Sequence, residues 1–207
     1  MSSELDIAGK FTPDGKISAI RPHGHGLIND TFVVTGDSGR RFILQRINGH
    51  VFPHPERIME NLHILTEHFL QHPGGGLRLP ELLTTHDGVN HVVDAEGGFW
   101  RALEFIENTR TLETIANPAQ AAAVGAALGR FHFVTHDLDP TRLHRTLPGF
   151  HNAPGYFARF LRASARLRRD GASRELLYAL QFVEARRGPT RALESARRTG
   201  RLAVRIM

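Results

Sequence analysis

A glycine-rich segment between two apolar runs constrains the fold of this chain more than any other feature. The segment has the sequence GHGLINDT at 24–31 and separates a predicted strand at 17–20 from a second at 31–35. Because glycine adopts positive φ and lets backbone approach closely, the segment predicts a turn between antiparallel strands. Asn29 and Asp30 favour this turn, since their side chains bond nearby backbone. The turn is either an ordinary hairpin or a loop that lies over phosphate groups.

The remainder of residues 1–106 has the pattern of a sheet with one helix. A third strand is predicted at 40–47. A helix is predicted at 55–71, because four apolar residues spaced by three or four positions share one face. These residues are Ile58, Leu62, Leu65 and Phe69. Shorter strands are predicted at 82–84, 91–93 and 99–106, which makes a sheet of five or six strands.

Helical patterns dominate from Asn117 onward. Asn117 is a good N-cap and Pro118 a good first residue for a helix that continues to about Thr135. Three further helices are predicted: one preceded by Pro154 and Gly155, one at 174–187 and one at 189–199. The segment 202–206 resembles the start of a strand. The order predicts an α+β chain, with a sheet lobe at 1–106 and a helical lobe at 107–207.

Composition excludes several classes of protein. The chain of 207 residues has no cysteine, which excludes disulfides, thiolate metal sites and a cysteine nucleophile. It has no apolar run of 18 residues, and its first ten residues are polar and mixed. We therefore expect neither a membrane span nor a secretion signal, and cytoplasm is the expected compartment.

Positive charge is concentrated near the C-terminus. From Gly155 onward there are thirteen arginines against four acidic residues, in a chain whose net charge is +5. This pattern indicates either a surface for phosphates or nucleic acid, or helices with solvated arginine faces. The second interpretation is favoured, because no aromatic residues alternate with the arginines as in nucleic-acid-binding surfaces.

The thirteen histidines all precede residue 155 and invite metal or acid/base hypotheses. His23 and His25 flank Gly24 without a carboxylate at ligand spacing, so they make a poor zinc site. The pairs at 86–87 and 136–137 have the sequence His-Asp, but they lie at predicted element ends, where Asp usually caps or turns. No metal-binding residue is predicted.

Seven short segments, in order along the chain, resemble one known family. They are GLINDT at 26–31, ILQRIN at 43–48, VF at 51–52, MEN at 59–61, FWR at 99–101, FIE at 105–107 and PGFHN at 148–152. The set resembles the aminoglycoside phosphotransferase family of the protein-kinase-like superfamily, and most closely its N-acetylhexosamine kinase branch. The resemblance implies a bilobal protein-kinase-like fold, ATP and magnesium as cofactors, and a sugar as substrate.

The resemblance also implies nucleotide-binding residues. The glycine-rich turn, with Gly24, Gly26, Asn29 and Thr31, corresponds to the loop over the phosphates. Arg46 corresponds to the cation of the third strand, with Gln45 pointing the other way.

Three further roles follow from the same resemblance. Glu60 corresponds to the helix residue that pairs with the third-strand cation. Glu104 and Ile106 belong to the connector that holds adenine. His151 and Asn152 either approach the sugar or stabilise their loop.

The catalytic loop of the family has no counterpart in this sequence. The segment 201–205 resembles the one that precedes that loop, and after Asp170 the sequence has no Asp and no Asn. The catalytic base and the magnesium ligands are therefore missing, and no catalytic residue is predicted. We expect weak or vestigial ATP binding and no activity of the chain alone.

Three interpretations of function follow. The chain is part of a sugar kinase, a non-catalytic nucleotide-binding or scaffold module, or, from a different class, a basic nucleic-acid-binding protein. Because apolar helix faces after residue 155 would lack partners, we also expect self-association or a complementing fragment.

Overall fold

The computed structural model describes residues 4–12, 16–24, 26–167, 172–204 and 206. It divides into two compact units, one that ends at Thr146 and one from Leu147 to Ile206. The lobe boundary predicted at 106–107 is a different division and stays a prediction.

The first unit contains a six-stranded antiparallel sheet, as the sequence predicts. Its strands are β1 (Ile17–Pro22), β2 (Asp30–Gly36), β3 (Arg41–Ile47), β4 (Leu82–Leu83), β5 (Val92–Val93) and β6 (Phe99–Glu104). The order in the sheet is β1-β2-β3-β6-β4, and β5 also pairs with β6. The predicted α+β class, with most of the helices following the sheet along the chain, is confirmed.

Six α-helices accompany the sheet in the described residues. They are α1 (Glu4–Gly9), α2 (Pro55–Gln71), α3 (Pro118–Val134), α4 (Ala153–Leu167), α5 (Arg174–Glu184) and α6 (Ala192–Arg198). Short 3-10 turns lie at Pro73–Gly75, Pro140–Arg142 and Pro189–Arg191. None of the described helices is long and apolar enough to cross a membrane.

Three helix and strand predictions need correction. The first lobe has a second helix, α1, which is too short for its periodicity to be recognised from sequence. Helix α4 begins at Ala153, before Pro154, because proline is tolerated in a first helical turn. Leu202–Val204 do not form a strand, and Arg205 lies outside the described residues.

One face of the sheet carries the main core. Side chains alternate along a strand, so Phe42 and Leu44 of β3 share a face with Trp100 and Ala102 of β6. This face packs against α1, whose Ile7 is fully buried. A six-residue helix is stable here because of its burial, not because of its own propensity.

The opposite face of the sheet is only partly covered. Ile47 and Phe99 pack against Met59 of α2, at one end of β3 and β6. Ile43 and Leu103, toward the other end of the same strands, are half-buried and line an open cleft. Helix α2 therefore leaves one part of this face free.

Helix α3 begins as predicted but exposes much of its apolar surface. Asn117 Oδ1 accepts a hydrogen bond from the Gln120 amide at 3.0 Å, and Gln120 Oε1 accepts one from the Ala116 amide at 2.7 Å. These reciprocal bonds satisfy backbone donors at the helix start. Val124 and Phe133 are nevertheless exposed.

The second unit has a small core. Phe157 of α4 and Leu180 of α5 are buried, while Tyr178 and Leu193 remain about 70% exposed. The apolar stripes predicted from the sequence are therefore incompletely covered within this unit.

A tight turn between β5 and β6 is organised by Asp94. Its Oδ1 accepts hydrogen bonds from the backbone amides of Gly98 and Glu96 at 2.6 and 3.0 Å. Its Oδ2 accepts one from Trp100 Nε1 at 2.7 Å. Burial raises the pKa of Asp94, but the bonds from Trp100, Gly98 and Glu96 and the charge of Arg46 outweigh it, so the pKa lies below its usual value.

We expect Asp94→Ala to destabilise the first unit by about 1–3 kcal/mol at neutral pH, because it leaves the buried Trp100 N–H unpaired. A lowered carboxyl pKa adds stability above the unfolded value, here 3.8, and this stability is lost as pH falls through the folded pKa. Urea unfolding measures the free energy of unfolding of parent and variant. The difference between the two free energies should be largest near neutral pH and should become smaller below pH 3.8.

Asp87→Ala is the matched control, because Asp87 is an exposed turn carboxylate with no hydrogen bond among those described. A loss of stability equal to that of Asp94→Ala would contradict the role assigned to the Trp100 contact.

Candidate functional site

A cleft of about 790 Å³ lies on the partly covered side of the sheet. Four segments of the first unit line it: the glycine-rich turn, the pair Ile43 and Leu103, residues 104–106, and residues around 109–113. The glycine-rich turn follows β1, and residues 104–106 form the connector at the end of β6. The turn and the connector therefore border the same cleft. The sequence predicts a nucleotide at both segments.

The glycine-rich turn is closed by backbone bonds. The His23 amide donates to the Thr31 carbonyl at 2.8 Å, and Gly24 has φ of +73°, a conformation that glycine adopts readily. Asn29 Oδ1 accepts a hydrogen bond from the Asn48 amide at 3.0 Å, which ties the turn to the end of β3. A smaller cavity of about 280 Å³ runs along this turn and is bordered by Gly24, Gly26, Asn29 and Thr31.

The connector after β6 is held by its aromatic residue. The Phe105 ring lies 4.2 Å from the Arg41 guanidinium and 6.2 Å from the His23 ring. Arg41 also donates from Nε to Glu107 Oε1 at 3.1 Å and pairs with the other carboxylate oxygen. These contacts position the connector and join it to the glycine-rich turn.

In the described part of the chain, some polar groups of the connector form hydrogen bonds or ion pairs within the first unit, and one backbone amide does not. The Glu104 amide donates to the Glu81 carbonyl at 2.8 Å, and the Glu104 carboxylate pairs with Arg78. The Ile106 carbonyl accepts from Thr109 Oγ1 at 2.8 Å, whereas the Ile106 amide donates to no acceptor among the described residues. Apolar walls with a free backbone donor suit a planar heterocycle.

The structure places the two faces of β3 opposite to the predicted arrangement, and a phosphate contact of Arg46 stays a prediction. Ile43 lines the cleft, so alternation places Gln45, and not Arg46, on the same face. Arg46 lies on the opposite face, where its guanidinium is 5.7 Å from the Trp100 ring and close to Asp94. The sequence could not show this, because either face of the strand could have been the one covered by α1.

A polar row crosses the cleft-side face at Thr31, Gln45 and Arg101, which are direct partners in the sheet. Gln45 Nε2 donates to Thr31 Oγ1 at 3.0 Å. Gln45 Oε1 accepts from Arg101 Nε and Nη2 at 3.1 and 2.7 Å. Burial lowers the pKa of the Arg101 guanidinium, and Nη1 is a buried nitrogen without a hydrogen-bond partner among the described residues.

Arg101 is the charged residue that the sequence prediction missed. A signal exists, because Arg101 is the one charge within the apolar run FWRAL at 99–103. A buried donor left without a partner is rare in native proteins, which makes Arg101 a candidate binding residue.

Glu60 does not pair with Arg46, since both are described and no ion pair joins them. Glu60 instead forms an ion pair with His144. The side chain of the neighbouring Asn61 forms two hydrogen bonds with the backbone of His144. Asn61 Nδ2 donates to the His144 carbonyl at 2.9 Å, and Asn61 Oδ1 accepts from the His144 amide at 2.7 Å. Glu60 and Asn61 therefore hold the segment around residue 144 against α2.

His151 and Asn152 lie in the second unit, and each forms a hydrogen bond with a residue close to it in the sequence. Asn152 Oδ1 accepts from the Gly155 amide at 3.0 Å at the start of α4. The His151 amide donates to the Tyr156 hydroxyl at 3.1 Å, and His151 has φ of +56°. These contacts agree with the loop-stabilising alternative, and a sugar contact stays a prediction.

Comparison with solved structures identifies the fold. An aminoglycoside phosphotransferase from Alicyclobacillus acidocaldarius aligns with 90% of this chain and 49% of its own length, at 16% identity and a TM-score of 0.52. The amicoumacin kinase hAmiN, in complex with AMP-PNP, Ca²⁺ and Ami, aligns with 72% and 48%, at 17% identity and a TM-score of 0.44.

Spectinomycin phosphotransferase APH(9)-Ia, in complex with ADP and spectinomycin, aligns with 68% of this chain and 40% of its own, at 15% identity and a TM-score of 0.36. Of the three, only the first exceeds a TM-score of 0.5 and shows a shared fold. The chain spans about half the length of that relative.

A sequence model of the phosphotransferase enzyme family, APH, matches residues 19–201, which include most of β1, the other five strands, the cleft and most of the helical part described above. The chain therefore belongs to the APH phosphotransferase family.

Proposed function

We propose that the cleft binds ATP, and that the chain is the nucleotide-binding part of a sugar kinase resembling the N-acetylhexosamine kinases. The observation that carries the proposal is the cleft itself, where the glycine-rich turn faces the connector with its unused Ile106 amide. Family membership makes phosphoryl transfer the relevant chemistry.

In this proposal adenine lies between Ile43 and Leu103, and the backbone of Glu104 and Ile106 recognises its edge. Both aliphatic side chains line the cleft and are half-buried, so a flat ring would remove further apolar surface from water. Phe105 is not proposed to stack on adenine, because its ring already contacts Arg41 and His23.

The phosphates are proposed to lie under Gly24, Gly26, Asn29 and Thr31. Their cation is Arg101 in this proposal, because Arg101 shares the cleft-side face and keeps a free Nη1. Gln45 orients Arg101 through two hydrogen bonds, and Arg46 stabilises the opposite face. A fixed guanidinium is well suited to phosphate oxygens.

Magnesium does not fit the described part of this cleft. Glu104 and Glu113 are the carboxylates that line it. Glu104 pairs with Arg78, and Glu113 also has an interaction of its own. We therefore assign no magnesium ligand and derive no catalytic step through a metal.

The chain covers about half the length of its solved relative. The sugar and the transfer step are therefore part of the proposal only. His151 and the Asn152 amide nitrogen are the proposed sugar contacts. A nucleotide-binding module without catalysis is the second candidate, and it is supported by the described lining of the cleft, whose two carboxylates each have another interaction.

We expect Arg101→Met to weaken ATP binding about 10- to 100-fold, which corresponds to the loss of a hydrogen bond to a charged group. Methionine preserves much of the buried volume, so the fold is retained. Isothermal titration with ATP, with and without magnesium, measures the affinity of the parent and of the variant.

Arg46→Met is the matched control for this measurement. It removes the same charge from the opposite face, so ATP affinity should stay within about twofold of the parent. If the Arg46 variant loses affinity and the Arg101 variant does not, the proposed position of the phosphates is wrong.

We expect the isolated chain to transfer no phosphate from ATP to N-acetylglucosamine or N-acetylgalactosamine, because no base is assigned to it. Sugar-dependent ADP release, measured with a coupled assay on highly purified protein, tests this. Turnover that persists through purification and is lost in Arg101→Met would establish activity in this chain and overturn the non-catalytic proposal.

We expect residues 156–199 to exchange amide hydrogens faster than β2, β3 and β6, and the chain to self-associate. Exposed side chains such as Tyr178 and Leu193 leave apolar surface uncovered, which favours association. Hydrogen exchange and light scattering measure the two effects. Slow exchange throughout 156–199 in a monodisperse monomer would show that these helices form a sufficient core.

A further inference from the structure

We propose that His68, His72 and Asp137 form a binding site for a divalent transition metal of the zinc class. The site lies at the end of α2, beside the turn that follows α3. It is separate from the cleft and independent of the proposed function. In the described part of the chain, it is the one group of three such side chains whose ligand atoms come together.

The distances suit a metal ion. His68 Nε2 is 3.3 Å from Asp137 Oδ1, and His72 Nε2 is 3.3 Å from Asp137 Oδ2. One ligand atom from each residue lies within 4.8 Å of the others. Metal bonds of about 2.0–2.1 Å place neighbouring tetrahedral ligand atoms roughly 3.3 Å apart, so only small adjustments are needed.

Helix geometry brings the two histidines together. His68 lies in the last turn of α2 and His72 is the residue that ends this helix, and their rings stack with centroids 4.3 Å apart. Asp137 comes from a segment 65 or more residues away in the chain, which is why the set is not visible as a sequence motif. A His-x-x-x-His spacing across the end of a predicted helix is the part of the signal that the sequence contains.

The hydrogen bonds of His72 orient it as a metal ligand. Its Nδ1 lies 2.8 Å from the His68 carbonyl oxygen, which only accepts, so Nδ1 carries the proton. In neutral His72 the Nε2 lone pair therefore faces a carboxylate oxygen at 3.3 Å. Either a proton on Nε2 or a metal ion between the two atoms satisfies this contact, and a backbone bond to the other ring nitrogen is typical of ligating histidines.

His68 needs one rearrangement. Its Nε2 lies 2.8 Å from the Val134 carbonyl, so without metal this nitrogen donates a hydrogen bond there. Metal binding at Nε2 requires the other tautomer of the neutral ring, in which the proton has moved to Nδ1, and the bond to Val134 is lost. Protons compete with the metal for imidazole nitrogens, so affinity should fall as pH decreases, as for other histidine sites.

The neighbouring His136 does not supply a fourth ligand. His136 Nδ1 is 3.7 Å from Asp137 Oδ1, but that nitrogen donates to the Phe133 carbonyl at 2.7 Å. The side chains of His68, His72 and Asp137 are 9%, 33% and 49% exposed, so one side of the site is open to water. A water molecule can supply a fourth ligand there.

The donor set selects the class of metal. Two imidazoles and one carboxylate suit zinc, cobalt or nickel, whereas magnesium and calcium prefer oxygen ligands. A bound ion would link α2 to the segment after α3, so its expected effect is stabilisation of the first unit.

The test uses zinc and cobalt salts with the full chain after treatment with a chelator. We expect one zinc ion per chain by isothermal titration, a rise in Tm of several degrees, and visible absorption from bound cobalt. His72→Ala and Asp137→Asn should each weaken zinc binding by about tenfold or more.

His63→Ala is the matched control, because His63 is an exposed histidine of the same helix that pairs with Glu67 at 3.2 Å. It should retain the zinc affinity, stoichiometry and cobalt spectrum of the parent. Asp137→Asn, at a half-exposed position, keeps the test valid if His72→Ala does not fold. No zinc-dependent Tm shift in the parent, or a shift unchanged in Asp137→Asn, would overturn the proposal.

Discussion

The pairing of β3 with β6 is the interaction on which the rest of the first unit depends. Six consecutive residue pairs, from Phe42 with Glu104 to Ile47 with Phe99, set the alternation of both strands at once. One side of these pairs forms the core with α1, and the other forms the wall of the cleft. A shift of one residue would exchange the two sides and move Arg46 to the cleft.

Local features of the fold were predictable from the sequence. The Asn117 cap, the start of α2 at Pro55 and the three-stranded meander depend on short-range chemistry. Alternation also predicted that Gln45 and Arg46 point in opposite directions. It could not predict which direction leads to the cleft, because that depends on where a six-residue helix from the N-terminus packs.

In the candidate site too, continuous segments could be recognised from the sequence, and contacts between distant residues could not. The glycine-rich turn and the connector were recognisable because each is a continuous segment. The interaction of Arg101 with Gln45 joins residues 56 positions apart, and the pairing of Glu60 with His144 joins residues still farther apart. Such contacts depend on strand register and helix packing, which no single segment encodes.

Gly98 shows how closely the two sides of this arrangement meet. A Cβ at this position would lie 2.4 Å from Asp94 Oδ2 and 2.9 Å from Arg46 Nε. The missing methyl group is therefore what allows a carboxylate, an indole and a guanidinium to share one small volume beside β6. Even alanine at residue 98 would require the side chains of Asp94 and Arg46 to move, so the arrangement of three side chains depends on a residue that has none.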